Sequence, residues 1–168
     1  NIRTGLAKDP ELQAEMMHVM GGVYESLGLY SEAESLLRGA VEIRRRTAGD
    51  DNADTLKSMT ALAGVLEERS EYREAEKWSR ETLDARRRIL GSEARDTLIN
   101  ISQLAMILDG EGRYPEAEKL NREALEAGRR KFGTEDELLT TATRHLAIDL
   151  DYQGRHSEAG KAFKEVLE

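Results

Sequence analysis

"RYPEAEKL", Arg113–Leu120, reads as the opening turns of a helix: a proline near the start, glutamates behind it, and alanine and leucine spaced for one apolar face. The same phrase stands elsewhere as "LYSEAESL" at Leu29–Leu36, "EYREAEKW" at Glu71–Trp78 and, more faintly, "RHSEAGKA" at Arg155–Ala162. Tyr30, Tyr72, Tyr114 and His156 follow one another at intervals of 42 residues. A fixed period in this range is the signature of stacked supersecondary units.

Sliding the chain against itself by this period aligns further columns: Met20, Leu62, Leu104, Leu146; Gly21, Ala63, Ala105, Ala147; Tyr24, Leu66, Leu108, Leu150; and Ala33, Ala75, Ala117, Ala159. Gly49, Gly91 and Gly133 close the units. Within the second unit Met59, Leu62, Ala63 and Leu66 fall at i, i+3, i+4, i+7, one stripe of an amphipathic helix. After a turn near Ser70–Tyr72, a second stripe runs through Ala75, Trp78, Thr82 and Leu83. Each unit is therefore expected to be two antiparallel helices. The pattern predicts helices over 10–27, 31–48, 52–69, 73–90, 94–111, 115–132, 136–153 and 157–168. Alanine or glycine at the crossing lets backbones approach, and no unit buries its apolar faces alone.

The totals agree. The chain has 168 residues, a formal charge of −8, 39% hydrophobic residues but only 5% aromatic ones, two prolines and no cysteine. Its mean hydropathy is −0.64. No apolar run reaches membrane length, and the start carries no signal-peptide pattern. The lack of cysteine excludes disulfides and thiolate metal sites and fits a reducing, cytoplasmic setting. The acidic balance speaks against nucleic acid.

These residues resemble the tetratricopeptide repeat: a helix with leucine–small–x–x–leucine, a glycine, an aromatic, "xEA", and a second helix. The 42-residue period and the "EAExL…ALExRRxxxG…DTL" wording look like the longer, kinesin-light-chain variety. The likeness covers residues 10–168 and implies an all-α, right-handed α-α superhelix of four repeats: 10–51, 52–93, 94–135 and a truncated 136–168. Residues 1–9 are expected to be the end of a preceding helix or a linker, since Leu6 fits the column of Ala48, Leu90 and Phe132. Glu168 is expected to fall inside the eighth helix, short of its siblings. The segment Leu6–Leu37 is similar to the first repeat of tetratricopeptide tails on bacterial serine/threonine kinases. The chain is read as a piece of something longer.

The resemblance implies a protein- or peptide-binding groove lined by the first helix of each pair. Its candidate positions are Glu15, His18, Gly22 and Glu25; Lys57, Thr60, Gly64 and Glu67; Ile99, Ser102, Met106 and Asp109; and Thr141, Arg144, Ile148, Asp151 and Tyr152. Ile99, Met106 and Ile148 suggest an apolar patch, and Glu25, Glu67, Glu68, Asp109 and Asp151 an acidic rim. A segment with basic and apolar residues suits both. The opposing reading is that these are ordinary solvated helix positions. Two ligand modes known for such repeats do not carry over. The asparagine position of the carboxylate clamp holds Gly22, Gly64, Met106 and Ile148, and the asparagine ladder of kinesin light chains is replaced by Val19, Ala61, Gln103 and His145. Self-association through uncovered terminal helices, including the Met-rich first helix (Met16, Met17, Met20), is the second expectation.

Arg44–Arg46, Arg86–Arg88 and Arg129–Lys131 lie in the last turns of second helices, where cations complement the helix dipole and their stems cover apolar surface. They are read as structural rather than as a phosphate stripe. His18, His145 and His156 sit in three different units, and no HExxH motif exists. "DDNAD", Asp50–Asp54, has the oxygen spacing of a calcium loop but has Thr55 and Ala61 where glycine and glutamate should stand, so it reads as a capping turn. "GEGR", Gly110–Arg113, follows no strand and is a helix-ending turn. No catalytic residue, metal or cofactor is expected.

Overall fold

The computed structural model describes residues 9–134 and 136–167, with side chains described through Lys164. Among them are eight α-helices and no strand: α1 Pro10–Ser26, α2 Tyr30–Ala48, α3 Ala53–Glu68, α4 Tyr72–Leu90, α5 Arg95–Gly110, α6 Tyr114–Phe132, α7 Glu137–Tyr152 and α8 His156–Leu167. Of residues 1–9, expected to end a preceding helix, only Asp9 is described. It is the N-cap of α1, its Oδ1 accepting from the Leu12 N–H at 3.1 Å. The expectation for Glu168 lies outside the described residues.

The chain divides into two compact units, Asn1–Ala85 and Arg86–Glu168. In the first, α1 packs on α2, α2 on α3, and α1 touches α3; in the second, α6 packs on α5 and α7, α7 packs on α8, and α5 touches α7. Short turns fold each first helix back onto its second. The small-residue column sits where these helices cross. A side chain at Gly21 would put its Cβ 2.7 Å from Leu37 Cγ of α2 and 3.5 Å from the Ala33 carbonyl. Ala63, Ala105 and Ala147 are fully buried, as are the leucines Leu62, Leu66, Leu104 and Leu108 around them. Each such leucine contributes roughly 1.5–3 kcal/mol relative to exposure.

Side-chain caps start α1, α3 and α7, whereas α2, α5 and α6 begin without one. Asn52 Oδ1 accepts from the Asp54 and Thr55 N–H groups at 2.9 and 3.3 Å, so "DDNAD" is indeed a capped helix start. Asp136 caps α7 through the Leu138 N–H at 3.0 Å. Gly49, Gly91 and Gly133 take φ of 91°, 86° and 86° at the ends of the second helices.

The turn inside each repeat also uses left-handed backbone. Gly28, Gly112 and Gly154 supply it in three repeats, but Ser70 does so in the second, at φ 61°. A serine there carries steric strain that glycine lacks. Ser70→Gly is therefore expected to raise unfolding stability by about 0.5–1 kcal/mol, after the extra chain entropy of glycine is deducted. Urea denaturation measures it; an unchanged or lower midpoint would show that the turn bears no strain.

Candidate functional site

In the first unit the groove positions come from α1 and α3, and several are already engaged. Glu15 pairs with Arg44. Lys57 Nζ lies 3.0 Å from Asp54 Oδ1, and Thr60 Oγ1 donates to the Leu56 carbonyl at 2.9 Å. His18 is half-buried, its Nδ1 3.3 Å from Ser58 Oγ; burial, then the Arg44 charge, holds its pKa below the ordinary value. Beside Gly22 the space is open.

Glu25, Glu67 and Glu68 gather where α1 and α3 end. Burial, then the neighbouring Glu68 charge, raises the Glu25 carboxyl and pushes Glu67 to about 7. Glu68 Oε2 accepts from the Tyr30 hydroxyl at 3.2 Å. The nearby cation in sequence, Arg69, is spent on Glu34 at 3.0 Å and Glu71 at 2.7 Å. Among the described residues no cation pairs with Glu25, Glu67 or Glu68.

In the second unit Ile99 is exposed and Met106 and Ile148 are half-buried on α5 and α7, while Arg144 is exposed. Ser102, expected to face a ligand, is only 8% exposed, because its side of α5 is covered by the stack. Asp109 is half-buried, and nearby in the unit the fully buried Asp149, a residue the sequence reading did not single out, accepts through Oδ2 from Asn121 Nδ2 at 2.8 Å. Asp151 Oδ1 lies 2.7 Å from His156 Nδ1. Tyr152, 68% exposed, stacks on Tyr114 with ring centroids 4.7 Å apart and planes 5° from parallel. An open concavity of about 600 Å³ on this unit is lined by Glu118, Arg122, Glu123 and Arg130 among others, and by none of the groove positions.

The arginine runs act as joints between repeats. Arg44 is 1% exposed; its Nη1 donates to Ser58 Oγ at 2.8 Å and to the Asp54 carbonyl at 3.1 Å, and it pairs with Glu11 and Glu15. Arg45 pairs with Glu81 and lies 4.8 Å over the Trp78 ring. In the second unit Arg86 donates to the Asp96 carbonyl at 3.1 Å and Arg87 to Glu123 at 2.6 Å. Arg44, Arg45, Arg86 and Arg87 are thus engaged within the stack.

No group of three or more His, Cys, Asp or Glu able to hold a metal occurs among the described residues. Nor is any described helix long and apolar enough to cross a membrane. The tetratricopeptide repeat profile matches residues 12–88 and 93–168. The chain belongs to the tetratricopeptide repeat family, and its fold is an all-α solenoid.

Among solved structures it is similar to the nearly identical TPR-like repeats of a Podosopora anserina protein assigned as a kinesin light chain (22% identity, TM-score 0.83), covering 94% of this chain and 74% of that one. It is similar to BtubC (BKLC) from P. vanneervenii at 15% identity and TM-score 0.86, over 94% of this chain and 63% of that one. The apo form of RapI matches at 17% identity and TM-score 0.81, over 98% of this chain and 45% of that one. At these identities the likeness concerns the fold. Among curated proteins no relative matches.

The raised Glu67 carboxyl has a testable sign. Its folded value exceeds the ordinary 4.5, so its contribution to stability is fully present below 4.5 and is lost as pH rises through about 7. Glu67→Gln is therefore expected to remove part of the wild-type loss of stability over that window. Identical pH–stability curves for the two proteins would show Glu67 to be solvated and ordinary.

Proposed function

We propose that the chain is a non-catalytic scaffold whose first-helix faces hold a protein or peptide segment bearing basic and apolar residues, as part of a larger signalling protein. Tetratricopeptide repeats generally mediate protein–protein interaction, and the fold is typically non-catalytic. The observation that carries the reading is the Glu25–Glu67–Glu68 group without a matching cation. In the second unit Ile99, Met106 and Ile148 supply apolar surface on α5 and α7, the helices that also carry Asp109, Asp151 and Tyr152. The likeness of Leu6–Leu37 to the first repeat of kinase tails supports a serine/threonine kinase as the parent, and the reducing setting implied by the composition supports the cytoplasm.

Fluorescence anisotropy with a labelled peptide alternating lysine and leucine tests this, against the same peptide with glutamate for lysine. The basic peptide is expected to bind and to weaken with salt. Met106→Lys or Ile148→Lys is expected to weaken it about tenfold or more, roughly 1.4 kcal/mol, with helicity intact. Unchanged affinity in both variants would move the site off these faces, and equal binding of the acidic peptide would remove the electrostatic basis.

A second reading, self-association, is favoured by α1. Leu12, Met16, Val19, Met20 and Val23 are exposed on it and Leu27 just beyond its end, whereas Leu62 and Val65, the register siblings of Met20 and Val23, are fully buried. A second copy of the chain is the occupant proposed for this stripe. Light scattering across a wide range of concentration is expected to show growing mass in the wild type and a monomer for Met20→Glu. A wild type that stays monomeric throughout would eliminate this reading.

A further inference from the structure

The chain twice seats an arginine in the same way. Arg45 lies 4.8 Å over the Trp78 ring and pairs with Glu81. Arg95 lies 5.3 Å over the Phe132 ring, its Nη1 2.8 Å from Asp136 Oδ2. In both places the guanidinium rests on an aromatic face while a carboxylate takes its N–H groups, which suits its flat, forked shape. The end of α7 offers the ring and the carboxylate without the arginine.

Tyr152 is largely exposed, yet its ring is held flat on that of Tyr114, with centroids 4.7 Å apart and planes 5° from parallel. Its column otherwise holds Ser26, Glu68 and Gly110. In the first unit Tyr30, the sibling of Tyr114, donates its hydroxyl to Glu68 at 3.2 Å instead of stacking. Asp151 is exposed, as is His156, whose Nδ1 lies 2.7 Å away. Ile148, half-buried, stands three and four residues before Asp151 and Tyr152, so it lies between them along one side of α7. Among the described residues no cation lies over Tyr152. The arginines nearest in sequence to the stack are committed elsewhere. Arg113 binds Glu111 at 2.8 Å and Glu116 at 2.7 Å, and Arg155 binds Glu118 at 2.6 Å and Glu158 at 2.7 Å.

We propose that Tyr152 and Asp151 form a docking point for an arginine side chain of the partner segment. The guanidinium lies flat on the open face of Tyr152 and donates to Asp151, while its hydrocarbon stem runs over Ile148. This completes the arrangement that Arg45 and Arg95 make internally. A tyrosine fixed by stacking offers large contact area at little entropic cost. Lysine is the poorer occupant, because its compact ammonium is strongly hydrated and has no plane to stack. The inference deepens the binding-face reading and rests on it for the partner being a protein segment.

NMR of the chain titrated with N-acetyl-arginine amide, N-acetyl-lysine amide and N-acetyl-citrulline amide, the last flat but uncharged, reads the dock directly. The arginine compound is expected to shift the Tyr152 ring resonances at about two- to fivefold lower concentration than the lysine one, with citrulline the weakest. The accompanying shifts at Ile148 and Asp151 are expected to survive Tyr152→Phe and to vanish in Tyr152→Leu. Equal response to arginine and lysine, or shifts that persist in Tyr152→Leu, would overturn the dock. In parallel, the alternating peptide with arginine for lysine is expected to bind the wild type more tightly by a similar factor, and Tyr152→Leu to erase the difference. Equal binding of the two peptides, both still weakened by Met106→Lys, would remove the dock and leave the binding face standing. If neither peptide binds, the binding-face reading falls and the titration with the single amino-acid amides decides the dock.

Discussion

The close crossing of the two helices within each repeat is the constraint from which the rest follows. At Gly21 the space is so filled by Leu37 that not even a methyl group fits without a shift. The column continues as Ala63, Ala105 and Ala147, all fully buried, opposite Ala33, Ala75 and Ala117, which are fully buried as well. Small residues let the backbones approach; the leucines on either side then fill the flanks at interior packing density. Because the column is fixed, the first-helix face turned away from the partner is fixed too. The face proposed to bind is a consequence of the crossing.

Junctions between repeats solve one packing problem in two ways. In the first unit Arg44 reaches from α2 to Ser58 and the Asp54 carbonyl of α3, and Thr55 Oγ1 donates to the Gly49 carbonyl at 2.8 Å. The register siblings Arg86 and Thr97 keep this polar design, Thr97 Oγ1 donating to the Gly91 carbonyl at 2.9 Å. The third junction replaces all of it with Gly128, Leu139 and Ala142, and a Cβ at Gly128 would meet Leu139 Cδ2 at 2.5 Å. A buried guanidinium demands oxygen partners, while a glycine demands that something apolar fill its place.

Much of this was legible in the 42-residue register. The expected helices agree with the observed ones to within a residue at nearly every end, because the apolar columns keep one register through every repeat and the turn signals recur with them. What periodicity does not report is the depth of an individual side chain. Ser102 was expected in the groove and lies in the stack; Arg44 was read as a helix-end cation and proves to be one of the most buried residues of the chain. The buried Asp149, bonded to Asn121, was missed although its signal was present, a carboxylate in a column otherwise filled by Val23, Val65 and Ile107. A break in a repeat column marks where one repeat departs from the common design. Such breaks are more informative than surface charge, which the stack tolerates almost anywhere.

The crossing column is tested most directly by enlarging it. Ala105→Leu places a branched side chain where α5 meets α6, in a column that holds only alanine or glycine. Calorimetric or urea unfolding is predicted to show a loss of about 1–3 kcal/mol or failure to fold. Met106→Leu, a volume-conserving change one position along the helix, is predicted to be nearly neutral. An Ala105→Leu protein as stable as the wild type would contradict the account, since the helices would then have room to spare where it requires them to touch.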